Sequence, residues 1–261
     1  MKPGERVASC LGALLWLLVG ACDPEVNVGE WTCSEDGSMR EAVDARAAIA
    51  MPWSASFENR FCDYTEQAGF CYADPEASYT TVTEPVHSGR YAAAFGIATD
   101  RPDASQTRCV RQGVLPMAAY YGAWYFVPER VESSALWNLW HFRGGEPSGT
   151  HGLWDVSLVN GASGALQLEV YDFLGGRTRR SVNAKPVPIG AWFHIEFYLK
   201  RAPDNSGAIA LYQDGESLLE VNDLRTDDSS WGQWYVGNLA SELAPAESIL
   251  YVDDVTIRAS R

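Results

Sequence analysis

From Trp53 to the C-terminus the chain is broken into short apolar runs. Segments rich in Val, Ile, Tyr, Phe and Trp recur at 54–58, 79–83, 90–98, 106–111, 118–127, 135–142, 153–159, 165–173, 191–200, 208–213, 216–221, 232–237 and 249–258, with Gly, Pro, Asn and Asp between them. Runs this short with a two-residue alternation are strands, and the turn residues between them leave no room for crossover helices. Such strands bury their apolar faces by packing sheet on sheet, so the expected fold is all-β, a sandwich of two antiparallel sheets. Asp214-Gly215, set between the alternating runs of "ALYQDGESLLEV", marks a two-residue hairpin in which both central residues need φ > 0. "LVNGASGAL" marks a looser hairpin.

Nothing after residue 53 reads as a linker, so 53–261 forms one domain. Upstream, "SMREAVDARAAIA" (38–50) has Ser38 as N-cap and Glu41 at the capping-box spacing, which predicts a helix ended by Met51-Pro52. Residues 1–21 read as an export signal: Lys2 and Arg6 precede an uncharged stretch shorter than the roughly 20 residues that span a bilayer. The stretch ends in "LVGAC", which resembles a bacterial lipobox. That resemblance implies lipidation of Cys22 and a protein anchored in the bacterial cell envelope, with 22–52 as an acidic tether that includes the short helix.

The net charge is −14, and −15 once Lys2, Glu5 and Arg6 leave with the signal. Long-range repulsion then argues against nucleic acid as a partner. In an exported chain the even set Cys33, Cys62, Cys71 and Cys109 forms two disulfides, and of the three pairings Cys62 with Cys71 and Cys33 with Cys109 is favoured. No CxxC pair, HExxH, P-loop, G-x-S-x-G or strand-linked G-x-G-x-x-G is present, which argues against zinc proteolysis, phosphate transfer, nucleophile-elbow hydrolysis and nicotinamide chemistry.

Chemistry-bearing residues stand out on the polar sides of three strands. In "AWFHIEFYLK", Phe193, Ile195, Phe197 and Leu199 form an apolar face while Trp192, His194, Glu196, Tyr198 and Lys200 form the other. "ALQLEVYDF" likewise turns out Gln167, Glu169 and Tyr171, and "LWDVSLV" turns out Asp155 and Ser157. Paired in one sheet, these strands would present aromatic platforms beside carboxylates and amides, the combination that binds sugars. "ALWNLWHFRGG" has no purely polar side, so both its faces are covered or in use. Its His141, followed by Arg143 and a Gly-rich loop, is a candidate general base or substrate contact. In "SILYVDDVTIRAS" a strict alternation puts Asp253 on the face of Ile249, Tyr251, Val255 and Ile257, where a carboxylate needs donors, an arginine or a metal.

The motifs "SFENRF", "PVHSGRYAAAF", "AYYGAWYFVP", "WNLWHF", "WFHIEFYLK" with "GAIALYQDGESLLE", and "LYVDDVTI" together resemble the concanavalin A-like jelly rolls of bacterial polysaccharide lyases of the heparin- and alginate-lyase type. They also resemble related carbohydrate-binding modules. The binding modules imply a structural calcium on Glu58 and Asp253, with backbone oxygens near His87 and Ser88. The lyases imply His141 as catalytic histidine and Arg108 as the arginine that neutralises a uronate carboxylate. Asn238 stands where those enzymes usually carry a tyrosine, so binding of polysaccharide without turnover is the favoured function, with β-elimination of a uronate polymer as alternative. An envelope scaffold with no glycan ligand is the third reading. The acidic surface further requires Arg143, Arg177, Arg179, Arg180 and Lys200 to collect around the cleft if highly charged chains are to bind tightly.

Overall fold

The computed structural model describes Cys33 and residues 46–261, apart from 147–148, 182–183 and 228. The expected signal at 1–21, the expected lipidation site Cys22 and most of the expected tether and helix lie outside the described residues. The described end of that helix run is not helical. Ala48 instead bridges Val114 in parallel, the Val114 amide donates to the Ala47 carbonyl, and Ile49 is buried in the core.

In chain order the elements are β1 (Trp53–Ala55), α1 (Cys62–Thr65), β2 (Phe70–Ala73), β3 (Ser78–Val82), β4 (Ala92–Ala98), β5 (Ser105–Gly113), β6 (Ala118–Phe126), β7 (Glu132–Ser133), β8 (Trp137–Glu146) and β9 (Gly149–Asn160). There follow β10 (Leu166–Asp172), β11 (Arg177–Arg180), β12 (Trp192–Lys200), β13 (Gly207–Gln213), β14 (Glu216–Leu224), β15 (Trp231–Ala240), β16 (Leu243–Ala244) and β17 (Glu247–Arg258). One sheet runs β14-β13-β12-β6-β17-β4-β3 with β1 beside β17, the second runs β11-β10-β9-β8-β15-β5-β2, and β7 with β16 forms a small ribbon. The expected all-β two-sheet sandwich is therefore the fold.

Alternation builds the core as expected. Phe193, Ile195, Phe197 and Leu199 of β12 face Trp154, Val156 and Leu158 of β9 and Leu166, Leu168 and Val170 of β10. At the centre Trp140 meets Trp234 edge-on at 5.3 Å, and Phe142 lies 5.3 Å from Phe197. The Asp214–Gly215 turn has φ of 51° and 81°, and Gln213 pairs with Glu216 across it.

Two expectations are corrected. Strict alternation fails in β17, where a bulge between Asp253 and Thr256, with Asp254 at φ 46°, shifts the register against β6. Leu250, Val252, Val255 and Ile257 all reach the core, and Ile249, exposed, shares the outer side with Asp253. The disulfides are Cys33–Cys62 and Cys71–Cys109, with Cα separations of 5.4 and 4.0 Å. Cys62 opens α1 while Cys71 lies directly opposite Cys109 in the β2–β5 ladder, so nearness in sequence misled where strand pairing decided.

Candidate active site

The outer face of the seven-stranded sheet carries the chemistry. Residues directly opposite in antiparallel strands share a face. One row across the sheet therefore reads Tyr235, His141, Asp155, Tyr171, and the next reads Gln106, Leu239, Asn138, Ser157, Glu169. Tyr72 pairs with Arg108, and Arg108 pairs with Gly237. Gly237 has φ +153°, and a Cβ there would lie 2.3 Å from the Thr107 carbonyl oxygen. With no side chain on β15 at that point, the Arg108 guanidinium crosses it and donates from Nη2 to Oδ1 of Asn138 on β8.

These groups line a cavity of about 340 Å³ floored by Tyr72, Arg108, Asn138, His141, Arg143 and Tyr235. His141 Nδ1 is hydrogen-bonded to Asp155 Oδ1, and its ring stands edge-on to Tyr235 and Phe173 at 5.5 and 5.6 Å. A carboxylate accepts only, so Asp155 selects the tautomer with the proton on Nδ1 and leaves Nε2 with a lone pair. Burial pulls His141 below its ordinary value of 6.5 and outweighs the opposing pull of Asp155, so the imidazole is neutral near pH 7.

Arg108 is only 4% exposed. Its guanidinium carbon sits 5.6 Å from the Tyr235 ring centre, and among the described residues no carboxylate pairs with it. Arg143 donates to the Thr150 carbonyl at 3.2 Å, and the Nε groups of both arginines are buried without a partner. Tyr72 donates to Gln106 Oε1 at 2.9 Å and Tyr235 to Gln233 Oε1 at 2.6 Å. Burial pushes the Tyr72 phenol up to about 12, so it keeps its proton.

A second cavity of about 340 Å³ adjoins the first and shares Leu136, Asp155 and Phe173 with it; Trp137, Ser157, Glu169 and Tyr171 complete its polar and aromatic lining. Together they form a groove across six strands, β2, β5, β15, β8, β9 and β10.

The sequence-derived site residues divide between the two sheets. His141, Arg108, Arg143, Glu169 and Tyr171 line the groove, with Gln167 further along the same face of β10. Trp192, His194, Glu196, Tyr198 and Lys200 do not belong to it, because β12 pairs with β6 and β13 in the other sheet. Glu196 is buried there and accepts from Arg258 at 2.9 Å and Arg261 at 2.5 Å. The collection of cations that tight capture of highly charged chains would require does not form: Arg143 lines the groove, but Arg177 and Arg179 pair with Asp172, Arg180 with Glu169, and Lys200 lies on the other sheet.

Asn238 faces inward. It accepts from Trp137 Nε1 at 3.0 Å and donates to the Phe95 carbonyl at 3.1 Å. The tyrosines of the first cavity are Tyr235 and Tyr72, which sequence reading missed, together with Gln106 and Asn138. For Tyr235 the signal was present in the alternation of "WGQWYVGN", which puts Gln233 and Tyr235 opposite Trp234 and Val236.

Glu58 and Asp253 both grip the turn at 87–91. Asp253 Oδ2 accepts from the amides of His87 and Ser88 at 3.0 and 3.1 Å, and Glu58 Oε1 accepts from those of Arg90 and Tyr91 at 2.8 Å each. The donors that a carboxylate on this strand requires are thus backbone N–H groups. Among the described residues no three His, Cys, Asp or Glu side chains gather as a metal site.

No family model matches the chain, and no curated protein does. Solved structures do. An endo-β-1,4-glucuronan lyase from the fungus Trichoderma reesei superposes with TM-score 0.57 at 16% identity, over 72% of this chain and 90% of its own. The cellulose-induced protein Cip1 gives 0.54 at 14% identity, over 80% and 97%. A marine alginate lyase from Aplysia kurodai gives 0.53 at 13% identity, over 78% and 97%. The chain therefore has the concanavalin A-like jelly-roll fold that glucuronan and alginate lyases share.

Proposed function

We propose that this protein cleaves a uronate-containing polysaccharide by β-elimination in the His141 cavity. Arg108 carries the reading. A buried guanidinium whose direct contacts are a neutral amide and a phenol ring has no carboxylate bonded to it to offset its desolvation in full, and it sits beside a His–Asp pair. A uronate carboxylate supplies that anion. Bound by Arg108, with Arg143 and Asn138 alongside, it loses the charge that makes its C5 proton hard to remove.

Neutral His141 then takes that proton on Nε2. The C5–H electrons form the C4=C5 double bond as the C4–O4 bond breaks, and O4 is protonated by a phenol, Tyr235 being the one against the imidazole. The proton on His141 returns to the phenolate, so the enzyme is regenerated and no water is consumed.

The test is the ultraviolet absorbance of unsaturated uronate product when the full chain meets a panel of uronate polymers. A signal lost in His141→Ala, with retention on the polymer kept, supports the reading; no signal on any polymer refutes it. The lining of the second cavity, with Tyr171 and exposed Phe173, favours one other reading, binding without turnover. In that case Tyr171→Ala abolishes retention and His141→Ala changes nothing.

Two further proposals rest on the sequence. Export and lipidation at Cys22 place the protein in the bacterial cell envelope, and Cys22→Ser should move it from the membrane to the soluble fraction. Calcium at Glu58 and Asp253 is the other. The N–H groups of His87 and Ser88 already satisfy Asp253, so calcium has only remaining oxygens to use, and an unchanged Tm after chelation removes the proposal.

A further inference from the structure

Resting on the lyase reading, we infer that the substrate is a heteropolysaccharide in which the uronate held by Arg108 adjoins an uncharged sugar, rather than a homopolymer of uronates. The two halves of the groove differ in kind. The first cavity is lined by two guanidinium groups, those of Arg108 and Arg143. The second is lined by none: its charged residues are Asp155 and Glu169, and the rest are Ser157, Tyr171, Phe173 and aliphatic or tryptophan side chains.

The arginines that could have made the second cavity cationic are held elsewhere. Arg180 donates to Glu169 at 2.7 Å and is spent on that carboxylate, while Arg179 is drawn to buried Asp172 at 2.7 Å. Asp155 separates the cavities, since it lines both, and its charge is directed at His141. A carboxylate on the neighbouring sugar would thus enter a site lined by two carboxylates, Asp155 hydrogen-bonded to His141 and Glu169 paired with Arg180, and by no cation. An uncharged sugar meets what suits it: a ring platform in Tyr171 and Phe173, which stand edge-on at 4.8 Å, and carboxylate and hydroxyl acceptors for its hydroxyls.

Spacing agrees with this. Neighbouring strands lie about 4.8 Å apart, so the step from the β8 side of the groove to the β9–β10 side is comparable with one sugar of a chain. The chain's overall charge of −14 acts in the same direction at longer range, by disfavouring polymers that carry an anion on every unit.

The experiment measures kcat/KM from initial rates of unsaturated product on hyaluronan and gellan, whose glucuronates adjoin uncharged sugars, and on polyglucuronate, polymannuronate and polyguluronate. The heteropolymers should be preferred by about tenfold or more, the effect of one like-charge contact at groove distances. Glu169→Gln should narrow that ratio by freeing the Arg180 charge for a second uronate. Equal or faster cleavage of the homopolymers overturns the inference and leaves the lyase reading standing. Absence of product everywhere refutes the lyase reading. In that event retention of the His141→Ala protein on the same polymers still decides the binding preference, and equal retention on homopolymers overturns it.

Discussion

Asp155→Asn tests the catalytic argument with little change of shape. In the native protein the carboxylate holds the Nδ1 proton of His141 and leaves Nε2 free to act as base. An asparagine can turn its amide N–H toward Nδ1, which moves the ring proton to Nε2 and removes the base. Loss of a general base costs about 10²–10⁴-fold, and an asparagine that misdirects the ring proton falls at the lower end of that range. The expected fall in kcat/KM is therefore about 100-fold. The pH profile adds a second signature. Activity requires neutral His141, so its acid limb follows a pKa already lowered by burial and partly restored by Asp155. Removing Asp155 takes away the raising influence, and the limb must move to lower pH even as the plateau drops. Stability follows the same sign. A histidine lowered on folding contributes stability that is full above its ordinary 6.5 and is lost as pH falls through the folded value, and the variant widens that window. Product absorbance against pH, with melting curves on the same samples, gives both. A normal rate, or a lowered rate with an unmoved acid limb and a lowered Tm, refutes the assignment of His141 as base.

Arg108→Met should abolish uronate cleavage yet leave the fold as stable or raise it by about 1–2 kcal/mol, since it replaces a buried charge held without a carboxylate by a side chain of similar volume; a lower unfolding midpoint in denaturant contradicts this. Asp227→Ala leaves Arg201, buried and 2.5 Å from the lost carboxylate, uncompensated, and should cost about 3–5 kcal/mol by the same assay. Asp253 has its carboxyl pushed up to about 6, first by burial and then by Asp254 against the opposing amide of Ser88. Its contribution to stability is fully present below the ordinary 3.8 and is lost as pH rises through about 6, so Asp253→Asn should flatten the stability profile across that window.

What could be read in the sequence was what depends on local alternation. The apolar faces of β9, β10 and β12, the Asp214–Gly215 turn and the sandwich class all follow from side chains alternating along a strand. What could not be read was which strands are neighbours. β12 and β10 have the same pattern, yet one pairs with β6 and the other with β9, and that choice put Trp192 and Tyr171 on opposite surfaces of the molecule. The disulfides failed for the same reason, since Cys71 finds Cys109 through the β2–β5 ladder. Bulges erased the remaining signal. The irregularity between Asn138 and Trp140 explains why "ALWNLWHF" would not divide into two faces, and the one in β17 reversed the side assigned to Val255 and Ile257.

The two outer faces also show why residue type alone does not identify a site. Both carry aromatic rings, histidine, arginine and glutamate. On the eight-stranded sheet those groups answer one another: Glu196 takes Arg258 and Arg261, Arg261 covers the Tyr212 ring at 3.9 Å, and His87 pairs with Asp254 while stacking on Trp124 at 3.8 Å. Opposite charges that meet within the protein leave little for a ligand to gain, because a ligand must first break a pair to form another. On the seven-stranded sheet the pairing is lopsided. Asp155 is hydrogen-bonded to His141, and Arg108 directly contacts only an amide and a ring, so a buried positive charge at the floor of an open groove remains without a carboxylate bonded to it. Folding alone gains nothing from that arrangement, whereas a carboxylate arriving with substrate completes it. The asymmetry predicts that anionic sugars protect the protein against thermal unfolding through the His141 groove and not through the Trp192 face. Arg108→Met should then abolish the protection, and Trp192→Ala should leave it intact.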